Sequence, residues 1–142
     1  MTATTAQVSR VIPAKPDEVW ETLTSKDGMK AWMMGADVDT DWEVGSPITM
    51  KGEFGGKPYE DKGEVRSFEP QKELSYTHVS GSAPDAEHVV TINLAPAGEG
   101  TEVVITQANA DGEVTDVDRE HKAQYEETWA KMLEGLEKAV AN

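Results

Sequence analysis

An amphipathic pattern from Asp118 to Asn142 constrains the fold of this chain more than any other feature. Apolar side chains recur there at helical spacing, and charged side chains fill the opposite face. Such a helix is about 36 Å long at a rise of 1.5 Å per residue. Its wide apolar face needs a sheet to cover it, because the segments before it resemble short strands. The apolar face consists of Tyr125, Trp129, Met132, Leu133, Leu136 and Val140.

The rest of the chain predicts two short helices and a series of strands. Pro16 and the acidic residues after it begin the first helix, since proline and carboxylates suit a first turn. Thr24 or Ser25 caps the second helix, which ends near Trp32 or Met33. Apolar and polar residues then alternate between turns rich in Gly and Pro. The predicted strands cover residues 7–12, 48–54, 59–68, 73–79, 88–94 and 101–107.

This order of elements predicts a single α+β domain over residues 1–142. A curved antiparallel sheet of about six to seven strands carries the long helix across its concave face. The two helices after the first strand let that strand return and pair with the far edge of the sheet. A gap between the long helix and the curved sheet is where a ligand would lie.

The composition excludes several classes of binding partner and chemical site. The chain has 27 acidic and 13 basic residues and a net charge of −14, so its surface repels nucleic acid and anionic membranes. It has no cysteine, which excludes disulfides, thiolate metal sites and a cysteine nucleophile. No apolar run reaches the length of a signal peptide or membrane span. We expect an acidic cytoplasmic protein without a cofactor.

Several short stretches occur in an order that resembles a known family. They are Ala14-Lys15-Pro16-Asp17-Glu18-Val19-Trp20 with Leu23-Thr24, Trp32, Gly63-Glu64-Val65 through Phe68-Glu69-Pro70, Leu74-Ser75-Tyr76-Thr77, Gly100-Thr101-Glu102-Val103 and Trp129 through Leu136. Together they resemble the helix-grip fold of the START and Bet v 1-like superfamily, also called SRPBCC. The closer resemblance is to single-domain bacterial homologues of the heat-shock-protein-90 ATPase activator. The resemblance implies a cavity between sheet and helix and a link to the stress response.

A set of aromatic, Met and polar residues is the candidate lining of that cavity. Trp129 is the expected main apolar wall, and Tyr76, His78, Gln107 and Tyr125 offer hydrogen bonds. An ordinary packed core also fits the apolar members, and the inward face of strand 101–107 stays open. Met33-Met34-Gly35 replaces the Trp and Gly frequent in the family, which predicts a softer pocket mouth. The full set is Trp32, Met34, Trp42, Phe54, Tyr76, His78, Gln107, Tyr125, Trp129, Met132 and Leu133.

The three histidines are the candidates for acid–base chemistry. His78 shares a strand face with Tyr76, beside the expected cavity, and His121 is one helical turn before Tyr125. Either residue is a candidate general base or a hydrogen-bonded group at the cavity rim. His88 is expected to be exposed. No metal-ligand spacing links the three residues.

Two acidic segments do not predict a metal site. Asp37-Val38-Asp39-Thr40-Asp41 resembles the start of a calcium loop, but Trp42 and Ile48 stand where such a loop needs Gly and Glu. The segment from Asp111 to Asp118 lacks that pattern, and Asp116 or Asp118 is expected to cap the last helix.

Three functions remain. The first is a non-enzymatic binding protein for a small hydrophobic molecule, held between the last helix and the sheet. The second is a co-chaperone-like or stress-related module that binds a protein partner. The third is an enzyme resembling polyketide cyclases, with His78 or His121 as the base.

Overall fold

The computed structural model describes residues 4–32, 36–54, 56–80, 83–110 and 113–141, and these form one antiparallel sheet and three helices. The helices are α1 (Pro16–Thr24), α2 (Lys26–Trp32) and α3 (Asp116–Ala141). The strands are β1 (Thr4–Ile12), β2 (Asp37–Asp39), β3 (Pro47–Phe54), β4 (Lys57–Glu69), β5 (Glu73–Ser80), β6 (Ala83–Ala97) and β7 (Gly100–Asn109).

The seven strands follow the order β1-β7-β6-β5-β4-β3-β2. β1 pairs antiparallel with β7, with Val8 opposite Ile105, so the first strand returns to the far edge of the sheet as expected. The curved sheet and the long last helix confirm the predicted α+β helix-grip architecture. None of the helices described combines the length and apolar character that a membrane span requires.

The two short helices pack against each other and against α3. Val19, Trp20 and Leu23 are buried on α1. Ser25 caps α2, since its hydroxyl accepts a hydrogen bond from the Gly28 amide at 3.0 Å. These helices pack on the C-terminal half of α3, where Leu133 and Leu136 are fully buried.

The start of α3 differs from the prediction. Thr115 caps the helix, and Asp118 is not the cap but its partner in a reciprocal pair. The Thr115 amide donates to Asp118 Oδ2 at 2.9 Å, and the Asp118 amide donates to Thr115 Oγ1 at 3.1 Å. The expectation of an aspartate cap at Asp116 or Asp118 is therefore wrong. The three-residue spacing between a Thr and an acidic residue was the available signal.

The edge strand β2 is not among the predicted strands. It covers part of the acidic segment compared above with a calcium loop, and Val38 pairs with Met50 of β3. Two aspartates in three residues carry little strand propensity, so the strand forms through pairing and the burial of Val38.

Gly63 lets β4 and β5 approach each other closely. A Cβ atom at this position would collide with the backbone carbonyl of Thr77 on β5. The Thr77 hydroxyl also accepts a hydrogen bond from the Glu64 amide at 2.8 Å. This close approach matters because the neighbouring residues Asp61 and His78 belong to the site described next.

Candidate functional site

A cavity of about 330 Å³ lies between the middle of α3, from Tyr125 to Met132, and the inner face of the sheet. Ala36, Met50, Val90, Trp129 and Met132 form its apolar walls. Its polar lining consists of Tyr59, Asp61, Tyr76, His78, His88, Gln107, Tyr125 and Thr128. Tyr76 and Val90 are buried at its base, whereas Thr128 is exposed and marks its opening to solvent.

Strand register places the lining side chains in two rows. Residues directly opposite each other on paired strands share a face of the sheet. In one row, Tyr76 pairs with Val90, and Val90 pairs with Gln107. In the second row, His78 pairs with His88, and His88 pairs with Asn109. The first row contains Val90 of the apolar walls, and the second row contains the two histidines of the lining.

The structure brings together a subset of the predicted ligand residues. Trp32, Trp42 and Leu133 are not part of the described cavity lining. Met34 lies outside the described residues, and Phe54 belongs to β3 while its side chain also lies outside the description. The predicted residues that line the cavity are Tyr76, His78, Gln107, Tyr125, Trp129 and Met132.

Trp32 and Trp42 have other packing partners. Trp32 is buried between the short helices and donates from Nε1 to the Leu23 carbonyl at 3.2 Å. Trp42 stacks on Phe68 with ring centroids 5.5 Å apart, and its Nε1 donates to the Thr24 carbonyl at 3.0 Å. An aromatic residue type predicts burial, but it does not distinguish a core cluster from a cavity wall.

Gln107 fixes the orientation of the main apolar wall. Trp129 Nε1 donates to Gln107 Oε1 at 2.9 Å, and Gln107 Nε2 donates to the Thr5 hydroxyl at 3.1 Å. Val103 and Ile105 are fully buried on the same face of β7, so this face points inward. The alternative left open by the sequence is thereby resolved.

Asp61 and His78 form a hydrogen-bonded pair at the polar side of the cavity. His78 Nε2 lies 2.8 Å from Asp61 Oδ2, and the side chains retain 28% and 15% exposure respectively. A carboxylate hydrogen-bonded to an imidazole orients the ring. Asp61 was not predicted as a site residue. Its alternation with Tyr59 on β4 was the only sequence signal, and a strand aspartate usually indicates a solvent-facing position.

His88 is half-buried and lines the cavity, so the expectation that it is exposed is wrong. Its Nδ1 atom is buried and has no hydrogen-bond partner among the described residues. Burial lowers the pKa of His88, and the nearby His78 lowers it further. The Asn109 side chain and the charge of Asp118 oppose this decrease in the pKa. His88 is therefore a neutral group at neutral pH.

Asp118 connects this polar row to α3 and is only 6% exposed. It accepts hydrogen bonds from Asn109 Nδ2 at 2.7 Å and from the Thr115 amide at 2.9 Å. Burial acts to raise the pKa of Asp118, but these hydrogen bonds outweigh it and keep the pKa below its ordinary value. Asp118 therefore carries a buried negative charge near the cavity, and it also bonds to the Tyr125 hydroxyl.

The cavity tyrosines are neutral hydrogen-bonding groups. Burial raises the pKa of Tyr76 far above its ordinary value. Burial also raises the pKa of Tyr59, with a contribution from the Asp61 carboxylate. Burial and the Asp118 carboxylate have the same effect on the pKa of Tyr125. All three phenols keep their protons at neutral pH.

His121 does not belong to the cavity. It is exposed on α3 and stacks on Tyr125 with ring centroids 6.2 Å apart. Its helical spacing from Tyr125 correctly indicates a neighbour but places the imidazole on the solvent side. Of the two candidate bases in the sequence, the structure brings only His78 to the cavity lining that it describes.

Comparisons with known proteins identify a family and a common fold. The model of the family described as Activator of Hsp90 ATPase homolog 1-like protein matches residues 13–141. ChR145 from Cytophaga hutchinsonii, known from a solution structure, is 41% identical in sequence to this chain. The match covers 96% of this chain and 93% of the ChR145 chain, with a TM-score of 0.73. The crystal structure of MLL2253 from Mesorhizobium loti is 27% identical, covers 95% of both chains and has a TM-score of 0.77. The Aha1 dimer from Colwellia psychrerythraea is 26% identical, with 95% and 94% coverage and a TM-score of 0.69. No curated protein matches the chain.

Proposed function

This chain belongs to the family of Activator of Hsp90 ATPase homolog 1-like proteins, and we propose that it holds a small, mainly apolar molecule in the cavity between α3 and the sheet without converting it. The cavity of about 330 Å³ is the observation that carries this proposal. It combines apolar walls with a few convergent polar groups, which is typical of small-molecule sites.

The apolar walls provide most of the expected affinity. A guest ring between Trp129, Met132 and Val90 loses contact with water, at about 25 cal/mol per Å² of apolar surface buried. A gain of several kcal/mol is partly offset by the loss of translational and rotational freedom. The hydrogen bond from Trp129 to Gln107 holds this wall in place before the guest arrives, so little further ordering is needed.

Filling the cavity tests the proposal. We expect Met132→Trp to weaken the binding of 2-naphthol at least about tenfold, because the larger side chain occupies the guest's space. Ala130→Trp is the matched control, since Ala130 is exposed on the same helix and should leave affinity unchanged. Isothermal titration calorimetry measures affinity, and circular dichroism verifies folding. Equal affinity of both variants and the wild type would contradict binding in this cavity.

Acid–base catalysis is a second candidate, and the hydrogen bond between Asp61 and His78 favours it. The pair lines the cavity and has the geometry of an oriented base. If a substrate that loses a proton is found, His78→Ala should reduce its turnover by about a hundredfold or more. Full turnover in His78→Ala would exclude this role, and His121→Ala is the control because His121 is exposed.

A protein partner is the alternative that the family description supports. The net charge of −14 would favour a partner with a basic surface. Measuring the ATPase rate of an Hsp90 chaperone at saturating concentrations of this protein tests it. A rate that stays unchanged argues against activation, whereas a saturable increase supports it.

A further inference from the structure

The charges and hydrogen-bonding groups on the polar side of the cavity restrict which head group the guest can carry. We propose that the guest carries an uncharged hydroxyl head, such as a phenol or alcohol, that both donates and accepts hydrogen bonds beside Asp61 and His78, and that anionic heads are rejected. This inference rests on the proposed ligand-binding function and concerns the chemistry of the guest.

The first argument is the sign of the charges around the cavity. No Lys or Arg is among the described lining residues, while Asp61 is. The buried carboxylate of Asp118 lies behind the same polar row, hydrogen-bonded to Asn109 and Tyr125. A carboxylate, sulfonate or phosphate on the guest would therefore meet like charge without a cation to compensate it.

The surroundings of the cavity tyrosines disfavour negative charge in the same way. A phenol that loses its proton becomes an anion, so a raised pKa measures how poorly its surroundings accept negative charge. Asp61 contributes to the raised pKa of Tyr59, and Asp118 contributes to that of Tyr125. A guest anion near these hydroxyl groups would encounter the same unfavourable potential.

The second argument is that the polar groups offer both halves of a hydrogen-bond pair. The neutral phenol of Tyr76 can donate a hydrogen bond to a guest oxygen, and the Asp61–His78 pair can accept a hydrogen bond from the guest's hydroxyl group. A hydroxyl group satisfies both needs with one atom. An ammonium group fits less well, because the Asp61 carboxylate is already engaged by His78 at 2.8 Å and a buried ammonium needs a dedicated partner.

Four compounds with the same two-ring body test the inference by calorimetry at pH 7. They are 2-naphthol, 2-methoxynaphthalene, 2-naphthoate and 2-naphthylmethylammonium. We expect 2-naphthol to bind most tightly. The methyl ether, which cannot donate, should bind about 3- to 10-fold more weakly, and the carboxylate about 10- to 100-fold more weakly. Affinity for 2-naphthoate or the ammonium compound equal to that for 2-naphthol would overturn the inference.

Two variants assign the selectivity to Asp61. Asp61→Asn should reduce the ratio of 2-naphthol to 2-naphthoate affinity about tenfold, because the like charge is removed. Asp39→Asn removes the same charge from an exposed position, and we expect it to preserve the ratio. An unchanged ratio in folded Asp61→Asn would contradict the assignment. If none of the four compounds binds the wild type, the proposed ligand-binding function fails. That result is distinct from a changed order of affinities, which contradicts only the inference about the head group.

Discussion

The buried carboxylate at the start of α3 allows one stability prediction to be worked out in detail. Asp118→Ala removes the acceptor for the Thr115 amide, the Asn109 side chain and the Tyr125 hydroxyl. Loss of the capping interaction costs about 1 kcal/mol, and loss of hydrogen bonds to a charged group costs about 1.5–3 kcal/mol. The substitution also removes the desolvation penalty of the buried carboxylate, which offsets part of this loss of stability.

We therefore expect Asp118→Ala to lower the free energy of unfolding by about 2–4 kcal/mol. For a domain of this size, that corresponds to a decrease in melting temperature of about 4–16 °C. Urea unfolding at pH 7, followed by tryptophan fluorescence, measures the free energy, and calorimetry gives the melting temperature.

Asp116→Ala is the matched control for this prediction. Asp116 occupies the same first turn and carries the same charge, but its side chain is 97% exposed and pairs with Arg119. Exposed pairs contribute little, so we expect a change below about 0.5 kcal/mol. A loss below about 1 kcal/mol in Asp118→Ala, or similar losses in both variants, would refute the structural role assigned to Asp118.

Three further predictions concern the cavity and the core. Because the pKa of His88 is lowered in the folded protein, the unfolded chain takes up a proton at this residue at higher pH, and the free energy of unfolding should fall as pH decreases from about 6.5. His88→Gln should flatten this part of a pH profile measured by urea unfolding, and an unchanged slope would contradict the prediction. Gln107→Leu should cost about 1–2 kcal/mol and alter Trp129 fluorescence, because it removes two side-chain hydrogen bonds; wild-type stability and spectra would contradict this. Leu136→Ala should cost about 2–5 kcal/mol in urea unfolding, because Leu136 is fully buried, and a loss below about 1 kcal/mol would show that its packing was misjudged.

The elements with strong periodicity were predictable from the sequence. The apolar stripe of α3 indicates one buried face, and the structure buries Leu133 and Leu136 on it. The return of β1 to the far edge of the sheet follows from the two helices after it. Strand ends were less predictable, because β6 extends over Ala83–Ala97 rather than residues 88–94. β6 exceeds its own apolar pattern because its two ends pair with different strands, Ala83 with Ser80 of β5 and Ala97 with Gly100 of β7.

The polar half of the site was harder to predict for a physical reason. Alternation assigns a polar strand residue to the solvent face, yet Asp61 and His88 line the cavity. Asp61 is tolerated in this inward position because its carboxylate is hydrogen-bonded to His78 at 2.8 Å, and His88 lies beside Asn109 and Asp118. Those partnerships depend on strand register and on the position of α3. Neither is a local property of the sequence.

Methionine methyl groups allow the most direct test of the central claim, that a guest occupies the cavity between α3 and the sheet. Met50 and Met132 line the cavity, whereas Met29 is buried in the core away from the described lining. In spectra of protein labelled with ¹³C at the methionine methyl groups, we expect 2-naphthol to shift Met50 and Met132 in a saturable manner and to leave Met29 in place. Absence of saturable shifts at both lining residues, or a shift confined to Met29, would contradict the proposal.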